Sequence, residues 1–177
     1  MEIVAGKLPG VHVIDAPKRG DERGYLVRTY CEDHFRNAGL NTHWVQCSLT
    51  HTAREGTLRG MHFQTSPFGE IKLIRCVSGS VWDCVVDLRP TSPCFGQWEA
   101  YELSEANERS LYVPEGVAHG FYSLTDDVRM LYQMSAPYSP EHASGVRWDD
   151  AELSIDWPRP PRLVSEKDLA LPWFQKR

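Results

Sequence analysis

From Val11 onward the apolar residues come in short runs rich in Val, Ile, Leu, Tyr and Trp, broken at close intervals by clusters of Gly, Pro, Asp, Asn and Ser. This rhythm predicts strands and turns rather than helices. The runs fall at Val11 to Asp15, Gly24 to Tyr30, Trp44 to Leu49, Thr57 to Gln64, Glu70 to Val77, Ser80 to Leu88, Gln97 to Leu103, Ser110 to Val113, His119 to Thr125 and Val128 to Met134. So many strands exceed what one flat open sheet carries, which favours a closed barrel or a two-sheet jelly roll. One helix is expected over Cys31 to Gly39, where Glu32 and Asp33 suit the positive end and a glycine suits the stop. A second helical turn is expected at Ser104 to Glu108. The prolines after Trp157 predict an extended arm rather than further strand pairing. With no internal repeat, the chain reads as a single domain over residues 1–177, its proline-rich arm starting near 157.

Charge narrows the partners. Nineteen basic against twenty-four acidic residues give a formal net charge of -5, so no overall basic field is present to hold nucleic acid, and an anionic ligand needs a local basic cluster. Lys72, Arg75, Asp83 and Asp87 interrupt the longest apolar stretches, so no membrane span is predicted. The first residues lack the pattern of an export signal. Cys31, Cys47, Cys76, Cys84 and Cys94 are an odd set without paired metal-ligand spacing, which fits reduced thiols in a cytoplasmic protein, with Cys76 and Cys84 filling the core.

Several segments place polar chemistry inside apolar runs. In TLRGMHFQ, strict alternation puts Arg59 and His62 on opposite faces, so both reach one ligand only if the strand bends or bulges near Gly60. His62 taken by itself reads first as a core histidine satisfied by a neighbour. In EIKLIRCV, Lys72 either points inward, where its ammonium needs an anionic partner, or carries its charge to the barrel rim. His119 follows a Pro-Gly turn in VPEGVAHGF. Tyr132 and Tyr138 close the strand region.

Taken in order, DERG at Asp21 to Gly24, GTLRGMHFQ, KLIRC, VVDLRPTSPCFGQW, LSEAN, VPEGVAHGF, the Tyr132 to Pro140 segment, RWDD, IDWP and SEKD at Ser165 to Asp168 resemble the dTDP-4-dehydrorhamnose 3,5-epimerase family of the cupin superfamily. The resemblance implies an all-β, cupin-type jelly-roll barrel with a few short peripheral helices. It also implies a homodimer that exchanges strands or arms, metal-free catalysis without a cofactor, and a nucleotide-diphosphate sugar as substrate. His62 matches the family's base, Asp168 its dyad partner, Lys72 the lysine that holds the sugar oxygen and Tyr132 the acid. Arg23 and Arg59 match the diphosphate arginines, Lys167 another binding lysine, Gln46 a polar residue at the nucleotide end and Tyr138 the aromatic that stacks on the base. His119 is left between a hydrogen bond to the sugar and a structural role.

The residue types support that chemistry independently. A ketone at C4 of a hexose acidifies the hydrogens on C3 and C5, since removing either leaves an enolate with its charge on the C4 oxygen. A histidine oriented by a carboxylate can take that proton, a lysine can stabilise the oxyanion, and a tyrosine on the other face can return a proton and invert the centre. Departures from the family pattern lie at the nucleotide end. Arg28 stands where a glutamate is usual and is expected near the base or ribose, Ser48 replaces an asparagine, and Ala143 replaces a second glutamate. The first cupin motif reads His62-Phe63-Gln64 rather than H-x-H, which argues against a metal-dependent oxygenase. Beside epimerisation at C3, C5 or both, two alternatives stand: a ketoisomerase on the same intermediate, and a non-catalytic cupin that binds a sugar nucleotide.

Overall fold

The computed structural model describes residues 1–175. Fourteen short strands and two short helices run in the order β1 (Glu2–Ala5), β2 (His12–Asp15), β3 (Arg19–Asp21), β4 (Gly24–Leu26), α1 (Glu32–Asn37), β5 (Gln46–Thr52), β6 (Thr57–Gln64), β7 (Lys72–Ser78), β8 (Ser80–Asp87), β9 (Trp98–Ser104), β10 (Ser110–Val113), β11 (Val117–Ser123), β12 (Val128–Met134), β13 (Ala143–Gly145), β14 (Leu163–Val164) and α2 (Glu166–Leu169). One sheet has the order β1-β2-β10-β7-β12-β5. The other has the order β13-β6-β11-β8-β9, with β14 added in parallel to β6, and β3 and β4 form a separate hairpin. All other pairings are antiparallel, as the expected jelly roll requires.

Alternation along the strands builds the interior. Val13, Ile74, Cys76, Leu111 and Met130 from the first sheet meet Val81, Val85, Leu103, Val117 and Phe121 from the second in one buried cluster. The second sheet is covered on its outer face too, because Met61, Cys84, Val86 and Ala118 pack under Val146, Leu153 and Trp157 of the C-terminal segment. This double covering explains why β8 and β11 read as nearly continuous apolar runs instead of alternating ones. On the outer face of the first sheet, Phe35 of α1 is fully buried against Tyr30, Trp44 and Tyr112.

Some expectations need correction. The run from Gly24 pairs only as far as Leu26, because its partner is the short β3 and the chain then leaves to enter α1. Residues 105–107 form the expected single turn, closed by Glu108 N donating to Ser104 O at 3.0 Å, and it goes no further because Asn107 bonds back to Ser104 N and Glu102 O and Glu108 adopts a positive φ of 54°. The C-terminal arm bends at Pro158 and Arg159 rather than staying extended, then pairs as β14 and enters α2, neither of which was expected. All five cysteines are free, and Cys76 and Cys84 are buried in the core. Among the described residues no helix is long and apolar enough to cross a membrane.

Candidate active site

The two sheets diverge around a cavity of about 550 Å³, lined by β5, β6, β7, β11 and β12 and capped by the segment that carries α2. The strand β6 supplies two of its polar groups through an irregularity. His62 pairs with His119 and Arg59 with Phe121, so two residues of β6, Gly60 and Met61, face one residue of β11. That bulge shifts the alternation and turns both Arg59 and His62 into the cavity, the bend that the sequence demanded. Gly60 has φ 130°, and a Cβ there would lie 2.5 Å from Gly120 Cα, so only glycine fits.

His62 meets Asp168 across the gap to α2, with Nε2 to Oδ1 at 2.6 Å. Ser165 caps α2 by accepting from Asp168 N at 3.1 Å, which fixes the turn on which the carboxylate sits. Gly60 N donates to the other oxygen, Oδ2, at 3.3 Å. Burial opposes ionisation of Asp168, but the His62 hydrogen bond and charge, Gly60 N–H and Ser165 outweigh it and hold its pKa below the ordinary carboxylate value. An ionised carboxylate only accepts, so His62 donates from Nε2 and leaves Nδ1 as the basic nitrogen.

Lys72, on β7, is buried, which settles its two readings in favour of the inward one. Its ammonium lies 3.1 Å from Glu70 Oε1 and donates to His62 O at 3.1 Å. The anionic partner that the sequence demanded is therefore present in the protein itself. Glu70 was not anticipated as a site residue, although it stands two residues before Lys72 and so on the same side of an extended chain. Its second oxygen accepts from Gln64 at 3.2 Å.

On the neighbouring strands, His119 Nε2 and Asp83 Oδ2 share a hydrogen bond at 2.8 Å, and both side chains are almost wholly buried. Burial raises the pKa of Asp83, against the opposing pull of His119 and Lys72. In the sequence, Asp83 registers only as a break in an apolar run, and its partner is visible only once β8 lies beside β11. Tyr132 projects from β12 with its ring at 74° to that of His119, centroids 5.9 Å apart. Burial and then the charge of Asp83 push its phenol well above the ordinary tyrosine value, while Thr50 and Arg59 pull the other way.

At the mouth stand Gln46, Tyr138 and Lys167. Gln46 Oε1 accepts from Tyr138 N at 3.1 Å, and the Tyr138 ring is largely exposed. Three expected residues lie elsewhere. Ser48 sits beside the cavity without lining it, in contact with Gln46 Nε2 at 3.5 Å. Arg23 is at the tip of the β3–β4 hairpin, 85% exposed and paired with Asp21 at 2.6 Å. Arg28 lines a separate depression with Arg19, Leu26 and His34. Among the described residues no group of three or more His, Cys, Asp or Glu is arranged to hold a metal ion.

Residues 5–176 match the family described as dTDP-4-dehydrorhamnose 3,5-epimerase. The chain belongs to the dTDP-4-dehydrorhamnose 3,5-epimerase family. A 3,5-epimerase of that name from Sinorhizobium fredii is 43% identical over 92% of this chain and 84% of its own length. A dTDP-4-dehydrorhamnose 3-epimerase from Streptomyces niveus is 39% identical over 91% of this chain and 78% of its own. The solved structure of the Bacillus anthracis 3,5-epimerase, with TDP and PPi bound, superposes with a TM-score of 0.95 at 37% identity, covering 98% of this chain and 99% of that one. The fold is thus the cupin-type jelly roll of these epimerases, and the protein is an isomerase of their kind.

Proposed function

We propose that the protein epimerises a nucleotide-linked 4-keto-6-deoxyhexose, of the dTDP-4-dehydro-6-deoxyglucose type, by proton abstraction and opposite-face reprotonation. The observation that carries the reading is that His62 and Tyr132 project from opposite sheets into one cavity, with the Lys72 ammonium also lining it. A sugar held between the sheets presents one ring face to each residue. His62 Nδ1 removes the proton beside the carbonyl. Asp168 holds the ring and stabilises the imidazolium, and general-base help of this kind is commonly worth about 10² to 10⁴ in rate. Lys72, held by Glu70 and His62 O, keeps a donor for the C4 oxygen as it takes up charge, a contribution of about 3 kcal/mol for one well-placed donor. Tyr132 then protonates the other face. His119, fixed by Asp83, presents its ring to the same region and suits a sugar hydroxyl.

Arg59 and Lys167 suit the diphosphate and Tyr138 the nucleotide base, with Gln46 beside it; guanidinium geometry matches paired phosphate oxygens. Arg23 and Arg28 lie outside this cavity, so in this reading they act in the site of a second copy of the chain. The β3–β4 hairpin is held to the barrel by Tyr25 Oη donating to Glu108 at 2.5 Å and Lys18 donating to Ala106 O at 2.7 Å, while its tip stays exposed. A homodimer that swaps these hairpins brings a second arginine to each diphosphate, and Ser48 and Arg28 then border the nucleotide. The chain acts as one domain in the cytoplasm, where its five thiols stay reduced. The chemistry needs no cofactor, because the substrate's own ketone stabilises the carbanion.

Proton NMR in deuterium oxide with dTDP-4-keto-6-deoxyglucose tests the reading. Loss of both the C3 and C5 signals is expected for a 3,5-epimerase, and loss of one alone identifies a mono-epimerase. No exchange by folded protein on this substrate or on other nucleotide-linked 4-keto sugars overturns it.

A further inference from the structure

Strand β5 pairs antiparallel with β12, with Thr50 opposite Met130 and Ser48 opposite Tyr132. Alternation puts Gln46, Ser48 and Thr50 on one face of β5, so Thr50 is the diagonal neighbour of Tyr132 on the cavity side. The oxygen of the Thr50 side chain is buried and makes no hydrogen bond of normal geometry, although it lies near enough to Tyr132 to favour its phenolate. Buried hydroxyls are normally paired, so an unpartnered one that lines a cavity points to a bond made at another stage of the cycle. Ser48, the other hydroxyl on this face, is already in contact with Gln46.

What lies around Tyr132 defines the need. Burial and the Asp83 carboxylate disfavour its phenolate, Cys76 adds to that, and Arg59 and Thr50 favour it. The His119 ring stands roughly perpendicular to that of Tyr132, and its Nε2 is engaged by Asp83. A phenol in this setting gives up its proton only if a donor meets the oxygen as charge forms. Hydrogen bonds of this kind are often long or misaligned in the empty site and tighten in the transition state.

We propose that Thr50 is a positioning residue for Tyr132, whose hydroxyl donates to the Tyr132 oxygen as the phenolate forms and so makes the opposite-face protonation competent. The inference rests on the reading of Tyr132 as the acid. In that step the enolate's electron pair takes the Tyr132 proton. A C–H bond forms as the O–H bond breaks, the C4 carbonyl is restored, and Tyr132 is left as phenolate. Thr50 keeps its own proton throughout. His62 then releases its proton to water and Tyr132 takes one from water, which restores both.

The test compares Thr50→Val, close in shape without the hydroxyl, with Thr50→Ser, which retains it. Inversion and deuterium exchange are followed at the same carbon in deuterium oxide. In Thr50→Val the rate of inversion should fall by about 10- to 100-fold, the loss expected for one hydrogen bond to a charged oxygen. Exchange at that carbon, driven by His62, should stay within about threefold of wild type with KM unchanged, and Thr50→Ser should restore inversion, since a lost donor and not lost packing is removed. Inversion at the wild-type rate in Thr50→Val overturns the inference, as does an equal loss in Thr50→Ser. Tyr132→Phe, run alongside, separates the two layers. If it inverts normally, the acid assignment falls; if it loses inversion while Thr50→Val does not, only the role of Thr50 falls. If Thr50→Val does not fold, Thr50→Ala supplies the same comparison.

Discussion

At the scale of single residues, the site is built from charges that hold one another in place. Asp168 is ionised because His62, Gly60 N–H and Ser165 outweigh its burial. Asp168→Asn should therefore reduce the exchange rate by about 10²-fold or more, since the amide no longer stabilises an imidazolium or fixes its tautomer. The same group sets part of the acid stability. Its folded pKa lies below the ordinary 3.8, so its contribution is fully present above the ordinary carboxylate pKa and is lost as pH falls through the lowered value. Denaturant melts should show the stability gap between wild type and Asp168→Asn narrowing as pH is lowered from about 6 to below 3. Lys72 and Glu70, each about 10% exposed, form a pair with a different vulnerability. Glu70→Ala strands a buried ammonium and should cost roughly 3 kcal/mol in urea unfolding, with a smaller loss in Glu70→Gln, which keeps an acceptor.

At the scale of elements, β6 carries the site because it is irregular. A regular strand would show His62 to the cavity and Arg59 to the outside. The extra residue at Gly60–Met61 makes them neighbours on one wall. Gly60→Ala should lose more than about 2 kcal/mol of stability by denaturant titration, because the new methyl meets Gly120 Cα and the backbone is held at positive φ. The need for this bulge was legible in TLRGMHFQ, since glycine beside paired polar residues in an apolar strand is a recognisable pattern. By contrast, α2 was hidden. Four residues after a run of prolines carry no periodicity, and the helix exists because Ser165 caps it and because Leu171 and Phe174 beyond it pack down onto Gly145 and Gly96.

At the scale of the whole molecule, two facing sheets leave part of the barrel interior unfilled, and polar residues of five strands converge there. Arg23 and Arg28 stay outside it. If hairpins are exchanged in a homodimer, mixing the inactive Arg23→Ala and His62→Ala proteins after dissociation should recover roughly a quarter of the wild-type rate, because half the dimers are mixed and one of their two sites is intact. No recovery from a refolded mixture shows that each chain completes its own site. The Arg28, Ser48 and Ala143 departures belong to this scale as well, since none of the three lines the cavity wall.

The sequence by itself determined the strand-rich class, most strand positions, the family and many of the polar residues that line the cavity, though not Glu70 or Thr50, because alternation and punctuation are local and the motif order spans nearly the whole chain. Apart from the His62–Asp168 dyad, which the family resemblance already implied, the tertiary structure decided who partners whom. Asp83 with His119 and Thr50 beside Tyr132 depend on strand register, Glu70 with Lys72 on both side chains being turned inward, and Asp168 reaches His62 through the return of the C-terminal arm. A buried charge must find its counterpart wherever the fold brings one, and that choice is made by packing between segments as much as 106 residues apart.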